Sequence, residues 1–185
     1  MKLILSLVAT GGLTLVLALV VNSIVEWIIH AKILHAHDGP PAEDHGGHHT
    51  VHQGVRYKKQ PAAPSKWILQ LDPDYGVAPM VFRYIISGMT ALSLIAGWLT
   101  GHYLLVPIIS VMTTATYFYL FGVVHRRVHV PIKGGWFEGT VLYRYLDRMH
   151  QVHHARGDRN FCILLPFIAD WLLRTLHRPR VSVRA

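Results

Sequence analysis

The amino-acid sequence predicts an all-α integral membrane protein with about three transmembrane helices and a histidine-rich cytoplasmic cap. Of the 185 residues, 51% are hydrophobic and only 15% are charged, and the hydrophobic residues fall in runs long enough to cross a bilayer. The 14 histidines outnumber the 10 acidic residues. We expect residues 1–185 to form a single membrane domain. The one cysteine, Cys162, excludes a disulfide framework and a cysteine-based zinc site.

The first predicted span covers about residues 3–29. Between Leu3 and Ile29 there is no lysine or arginine, and the only acid is Glu26. At about 1.5 Å per residue, this helix would exceed the roughly 30 Å hydrocarbon core. A cleaved signal peptide is the alternative, but its basic region would be Met1 and Lys2 alone, and no small-x-small cleavage site follows. A membrane anchor is therefore favoured.

The next two predicted spans lie close together. Residues 84–124 contain no Lys, Arg, Asp or Glu, and this run is too long for one span but fits two spans joined by a tight turn. Thr100, Gly101 and His102 provide that turn. We expect spans at about 80–99 and 103–124.

Three spans place residues 30–79 and 125–185 on the same side of the membrane. Of the 18 lysines and arginines, only Lys2 falls on the other side. The positive-inside rule therefore makes both segments cytoplasmic. The net charge of +8 fits a surface near anionic lipid head groups. No nucleic-acid-binding motif accompanies that charge, so we expect no nucleic acid partner.

The cytoplasmic cap should combine loops with short helices. Residues 38–79, rich in Gly, Pro and polar residues, predict a loop that can carry one short helix. Residues 136–155 have a helical period that places Trp136, Tyr143, Leu146 and Met149 on one stripe. Residues 161–173 are apolar but too short to span, which predicts an interfacial or re-entrant C-terminal segment.

Ten of the histidines form four motifs at the predicted cytoplasmic surface. In chain order they are HX4H (His30, His35), HX2HH (His45, His48, His49), HX3H (His125, His129) and a second HX2HH (His150, His153, His154). At this histidine frequency about 0.08 HX2HH triplets are expected by chance, whereas the chain has two. The spacing is therefore a signal in its own right.

Helical geometry gives the spacing a physical meaning. Positions i, i+3 and i+4 lie on one face of a helix, so His125 with His129, and each triplet, should present their imidazoles in one direction. His30 and His35 are about 140° apart on a regular helix and should flank a cluster or bind different ions. Two alternatives are a histidine-rich loop around His45 that binds stray metal, and interfacial roles for His125 and His129.

All four motifs lie at one edge of the membrane, which favours a shared metal centre. Ten imidazoles exceed the ligands of one ion, so we expect two ions with about five imidazoles each. Imidazole suits iron, zinc and copper alike. Four acids are candidates to orient the imidazole rings, and each could instead pair with an arginine: Glu26, Glu138, Asp147 and Asp158.

The four motifs, in this order and topology, resemble those of the fatty acid hydroxylase / sterol desaturase superfamily of integral-membrane di-iron enzymes, over about residues 20–178. Residues 149–155 look like the final histidine box of the bacterial beta-carotene hydroxylases, which are similar in size. His125 and His129 have the HX3H spacing of the fatty acid 2-hydroxylases. Residues 160–162 and 170–176 partly match the family's C-terminal tail.

The resemblance implies an oxidoreductase, an O₂-dependent monooxygenase that hydroxylates an unactivated C–H bond of a fatty acyl, sterol or carotenoid lipid taken from the bilayer. It implies two iron ions, with zinc possible in the isolated protein. The chain has no flavin, haem or Fe–S motif, so electrons would come from an external ferredoxin or cytochrome. A basic surface that would suit such a donor comprises Arg126, Arg127, Arg156 and Arg159.

We expect a bacterial inner-membrane protein with its histidines on the cytoplasmic side. Two alternative functions stay open at this point. One is a lipid or carotenoid desaturase on the same centre, and the other is a non-catalytic metal- or pigment-binding subunit of a membrane complex.

Overall fold

The computed structural model describes residues 1–35, 49 and 79–177, and these are mostly helical. Five α-helices follow one another along these residues: α1 (Lys2–Ile28), α2 (Pro79–Thr100), α3 (Leu105–His129), α4 (Val141–Arg156) and the short α5 (Ala169–Leu172). A π-helical segment, Ile29–Leu34, continues α1 without a break. The predicted loop at 38–79 lies almost wholly outside the described residues.

Three helices are long and apolar enough to cross a membrane: Lys2–Leu34, Val81–Thr100 and Leu105–His129. The prediction of three span-length helices is confirmed. The first and the third extend five residues further towards the cap than predicted, because backbone hydrogen bonding continues past the end of the apolar run. His30 and His125 therefore lie within helical turns and not in loops.

The predicted tight turn joins α2 to α3. Gly101 has a φ of +72°, a conformation that glycine adopts without a steric penalty. A Cβ on Gly97 would come within 3.1 Å of His102 O and of the Pro107 side chain. Glycine at this position therefore allows the two helices to approach each other closely.

The helix α3 packs against both α1 and α2. The residues that α1 buries are Ala18, Asn22, Ser23 and Glu26, whereas most of its leucines are exposed. Tyr117 of α3 donates from its hydroxyl to Glu26 Oε2 (2.5 Å). Polar groups inside and apolar groups outside form the arrangement expected for helices that contact lipid.

The helix α4 carries three of the histidines. Thr140 caps its N-terminus, and the Thr140 Oγ1 accepts a hydrogen bond from Tyr143 N (3.0 Å). Gly157, in the left-handed conformation, caps its C-terminus. The predicted start at 136 is wrong. Trp136 lies in a turn and is 81% exposed, because glycines precede the Thr140 cap and favour turns.

One apolar cluster joins the cap to the spans. It contains Phe121, Val124 and Val128 of α3, Tyr143 and Leu146 of α4, and Ile163. Of the predicted stripe on α4, Tyr143, Leu146 and Met149 are buried. The N-terminal half of α4 is therefore held against the last turns of α3.

The C-terminal segment packs beside the end of α1. The predicted interfacial or re-entrant residues 161–173 consist of turns followed by α5. Ala169 N donates to Ser23 Oγ (3.2 Å), and the Ser23 hydroxyl donates to Leu165 O (3.2 Å). These bonds place the segment at the level of Ser23, about 10 Å along α1 from His30.

Candidate metal centre

Eight histidines form two adjacent groups at the ends of α1 and α3. Cluster A consists of His30, His35, His49 and His153, and cluster B consists of His125, His129, His150 and His154. Within each cluster, the four ligand nitrogens lie within 4.8 Å of one another. Eight of the ten predicted ligands are thus brought together. The other two, His45 and His48, lie outside the described residues.

The two clusters are in contact through their rings. His49 of cluster A stacks on His154 of cluster B, with ring centroids 4.2 Å apart. The rings of His150 and His153 are also stacked, with centroids 5.7 Å apart. Two ions held here would therefore be neighbours, which is the arrangement a two-metal site requires.

The spacing of the nitrogens matches the coordination of a cation. The short Nε2–Nε2 distances lie between 2.9 and 3.3 Å: His129–His150, His150–His154, His49–His153 and His35–His153. A metal–nitrogen bond of about 2.1 Å places adjacent nitrogens about 3.0 Å apart in octahedral and about 3.4 Å apart in tetrahedral geometry. Each cluster therefore fits one metal ion.

The π-helical segment brings His30 and His35 into the same cluster. The prediction that they would not chelate one ion assumed a regular α-helix, and that assumption is wrong here. His35 N donates to His30 O (3.1 Å), which is the i to i+5 bond of a π-helix. This wider turn places residues five apart nearly above one another, and the two ring centroids are 5.4 Å apart.

The second HX2HH triplet is divided between the two clusters. His150 and His154 belong to cluster B, whereas His153 belongs to cluster A. The prediction that the whole triplet acts in one direction is therefore wrong. His150 and His154 are four residues apart and lie on one face of α4, but His153 is rotated about 80° from that pair's mean direction. The HX3H pair, His125 and His129, stays together as predicted.

Backbone carbonyl groups orient two ligands of cluster A. His30 Nδ1 donates to Phe161 O (2.5 Å), and His153 Nδ1 donates to Arg159 O (2.8 Å). A carbonyl oxygen only accepts, so each Nδ1 carries the proton and each Nε2 keeps its lone pair for a metal ion.

Three buried polar side chains hold these carbonyl groups in place. They act on residues 159–163, here named the strap. Asp170 accepts from Phe161 N and Cys162 N, both at 2.9 Å, and Glu26 Oε1 accepts from Ile163 N (2.5 Å). Asn160 Nδ2 donates to Met149 O on α4 (3.2 Å). The strap is thus tied to α1, α4 and α5 at once.

Three of the four acids predicted to orient imidazole rings contact other groups. Glu138 accepts from Arg127 Nε (2.6 Å) and Nη2 (2.5 Å), and Asp158 pairs with Arg159 (3.3 Å), so the alternative of an arginine ion pair is right for both. Glu26 contacts the strap and Tyr117. Asp147 is buried on α4. For His30 and His153 of cluster A, the orienting partners are backbone carbonyl groups.

Burial favours the metal-binding form of the imidazoles. Desolvation lowers the pKa of His150 well below its usual value, and the neighbouring imidazoles of His125 and His154 lower it further. Desolvation also lowers the pKa of His35. Neutral imidazole is the form that binds a metal ion. Burial of His35 and His150 therefore favours cation binding at neutral pH.

The sequence did not identify Asn160 and Asp170 as parts of the site. Both lie in the C-terminal residues 160–162 and 170–176, whose sequence pattern does not indicate a role in orienting a metal ligand. Asn160 has a φ of +53° and is 1% exposed, and Asp170 is fully buried. The sequence signal for both residues is an isolated polar side chain beside or within an apolar stretch. Such a side chain is buried only when it is hydrogen-bonded, so its position indicates a structural partner.

The chain was compared with protein families, curated proteins and solved structures. No protein-family model, curated protein or solved structure matches the chain. The features of the chain that point to a function are therefore the two histidine clusters and their position relative to the apolar helices.

Proposed function

We propose that this protein is an O₂-dependent di-iron hydroxylase of a membrane lipid, related to the fatty acid hydroxylase / sterol desaturase superfamily. The observation that carries the proposal is the pair of adjacent four-histidine clusters at the ends of two span-length helices. A di-iron centre at the membrane surface can act on a substrate that never leaves the bilayer.

The ligand set supports two ions of the same kind. Each cluster offers four imidazoles with nitrogens at coordination distances. Four neutral ligands per ion leave coordination positions for small oxygen ligands if the ion is six-coordinate, as iron commonly is. Two bound irons would supply the O₂-dependent redox chemistry for C–H oxidation.

The chain's own residues would hold, orient and shield the centre. The carbonyl groups of the strap fix the tautomers of His30 and His153. Burial of His129, His150 and His153 at 2% exposure or less excludes water from the ligands. The exposed apolar side chains of α1 and α3 provide a surface from which a fatty acyl, sterol or carotenoid substrate can approach.

The reaction requires electrons from outside the chain. Hydroxylation places one oxygen atom of O₂ in the C–H bond and releases the other as water, which consumes two electrons and two protons. A ferredoxin or a cytochrome on the cytoplasmic side would supply the electrons. The basic residues of the cap would attract an acidic donor.

Metal analysis and product analysis together test this function. The purified chain should contain about two irons, and a bacterial host supplied with carotenoids or fatty acids should accumulate a hydroxylated lipid only when the intact chain is expressed. A dehydrogenated product would indicate a desaturase instead. Full metal content without any oxidised lipid would contradict catalysis and favour a metal-binding subunit.

A further inference from the structure

The start of α4 and the turn before it carry an apolar patch that the metal centre does not explain. Trp136, Val141, Leu142 and Tyr145 are 81%, 74%, 55% and 37% exposed. Trp136 lies in the turn before α4, and the other three residues lie in its first turns. Val141 and Tyr145 project away from the buried face of α4, and Leu142 lies at the edge of that face. An exposed cluster of large apolar side chains marks a surface that contacts something other than water.

The packing of α4 places this patch at the depth of the membrane boundary. A roughly 30 Å hydrocarbon core takes about 20 helical residues, and the span Leu105–His129 has 25. Its last turn therefore lies in the head-group layer, and Phe121 lies near the edge of the hydrocarbon. Leu146 of α4 belongs to the same apolar cluster as Phe121 and Val124. The N-terminal half of α4 is thus level with lipid.

The residues around the patch have the composition of an interfacial surface. The exposed charged residues beside it are Lys133, Arg144 and Arg148, which are all basic and suit lipid phosphates. Tryptophan and tyrosine favour the same layer. The exposed Phe167, Trp171 and Leu172 lie at the level of Ser23, also inside a span.

We propose that the surface formed by Trp136 and the first two turns of α4, around Leu142, is immersed in the cytoplasmic leaflet. The occupant of the patch is therefore the bilayer itself. An acidic protein would also match the basic residues, but it would not account for a patch whose supporting side chains lie at hydrocarbon depth. This inference does not depend on the proposed enzymatic activity.

Site-directed nitroxide labelling of the full chain in vesicles of phosphatidylcholine and phosphatidylglycerol tests the proposal. Labels are placed at Leu142→Cys and, as a matched control at an exposed position in the C-terminal half of the same helix, at Gln151→Cys. The native Cys162 is buried and should not react. The label at 142 should collide several-fold more with oxygen, which partitions into lipid, than with a water-soluble paramagnetic reagent. The label at 151 should show the reverse.

Equal access of the aqueous reagent to both labels would overturn the proposal, and the patch would then be free to bind a soluble protein. A second measurement does not depend on the cysteine variants. Chains that keep Trp136 alone, with the other tryptophans changed to Phe, should lose fluorescence in vesicles of brominated phosphatidylcholine. The loss should match that of Trp98, an exposed residue of α2. Quenching by aqueous acrylamide without quenching by bromolipid would also overturn the proposal.

Discussion

His30 donates from Nδ1 to the carbonyl oxygen of Phe161 at 2.5 Å, although 131 positions separate the two residues in the chain. This bond connects the first histidine motif to the C-terminal strap. It also fixes which nitrogen of His30 faces the metal site. The geometry of cluster A therefore depends on residues that are not ligands.

Asp170 should control metal affinity without touching the metal. The Asp170→Asn substitution removes one of the two carboxylate oxygens that accept from Phe161 N and Cys162 N. The strap should loosen, and affinity at cluster A should fall by about 10- to 100-fold, as is typical when a group that orients a ligand is lost. Competition with a chelator measures the effect for each ion.

The matched control for this substitution is Asp158→Asn. Asp158 has a 62% exposed side chain and pairs with Arg159 at the surface, so its change should leave metal affinity unaltered. Equal losses in both variants would show that Asp170 has no specific role in positioning the strap.

His153 should be the ligand whose loss is most damaging. It belongs to cluster A, yet its ring is also stacked against His150 of cluster B. The His153→Ala substitution should remove the ion of cluster A and abolish lipid oxidation together, since two-metal chemistry needs both ions. Elemental analysis and product analysis on the same preparation check this.

The control for His153 is His102→Ala. His102 lies in the turn between α2 and α3 and contacts Thr10 Oγ1 (3.3 Å). The His102→Ala variant should retain full metal content and full turnover. Retention of metal and turnover by His153→Ala would disprove the ligand assignment.

The π-helical segment should matter for metal binding because it sets the angle between His30 and His35. Deletion of Ala31 changes the spacing of His30 and His35 from i, i+5 to i, i+4, which shares a face on an ordinary α-helix. Cluster A should therefore still bind its ion. Insertion of one alanine after Ala31 produces i, i+6, which separates the two imidazoles widely on either helix type, and should abolish binding.

Metal content of the two register variants, compared with the unaltered chain, provides the measurement. If both variants lose the ion equally, the spacing of the two histidines is not the property that the π-turn serves.

Glu138 should contribute to stability in a pH-dependent way. Burial alone raises its pKa, but hydrogen bonds from Arg127 and from Ile132 N outweigh burial, so its pKa lies below the usual value. A carboxyl group with a lowered folded-state pKa stabilises the fold above its unfolded-state pKa. That contribution is lost as the pH falls through the folded-state value.

The Glu138→Gln variant should therefore be less stable than the parent near neutral pH, and this difference should shrink below about pH 4. Thermal unfolding of the metal-free proteins in detergent, measured across this range, provides the check. A difference that stays constant with pH would mean that the charge of Glu138 is not involved.

Much of the architecture could be predicted because lipid imposes a simple rule on sequence. A run without charged residues such as 84–124 must be helical to satisfy its backbone in the bilayer, and its length sets the number of spans. The HX3H pair His125 and His129 was placed together correctly for a similar reason, since helical periodicity alone brings i and i+4 to one face.

Other features resisted prediction because they depend on partners distant in sequence. The π-turn after His30 changes the direction of His35 relative to His30, because it widens the helix. The local hydrophobic periodicity does not indicate this turn. The separation of His153 from His150 and His154 depends on where α1 lies relative to α4. Carbonyl groups of the strap, rather than the predicted carboxylates, hold His30 and His153.

The sequence by itself determined three span-length apolar helices, the histidines beside them and the basic character of the cap, because hydropathy, charge and helical spacing are local properties. The tertiary structure alone decided which histidines share a cluster, which nitrogen each presents and which residues hold the strap. Those outcomes depend on distances between side chains up to 148 positions apart, such as Trp27 and Thr175, and such distances exist only once the helices have packed.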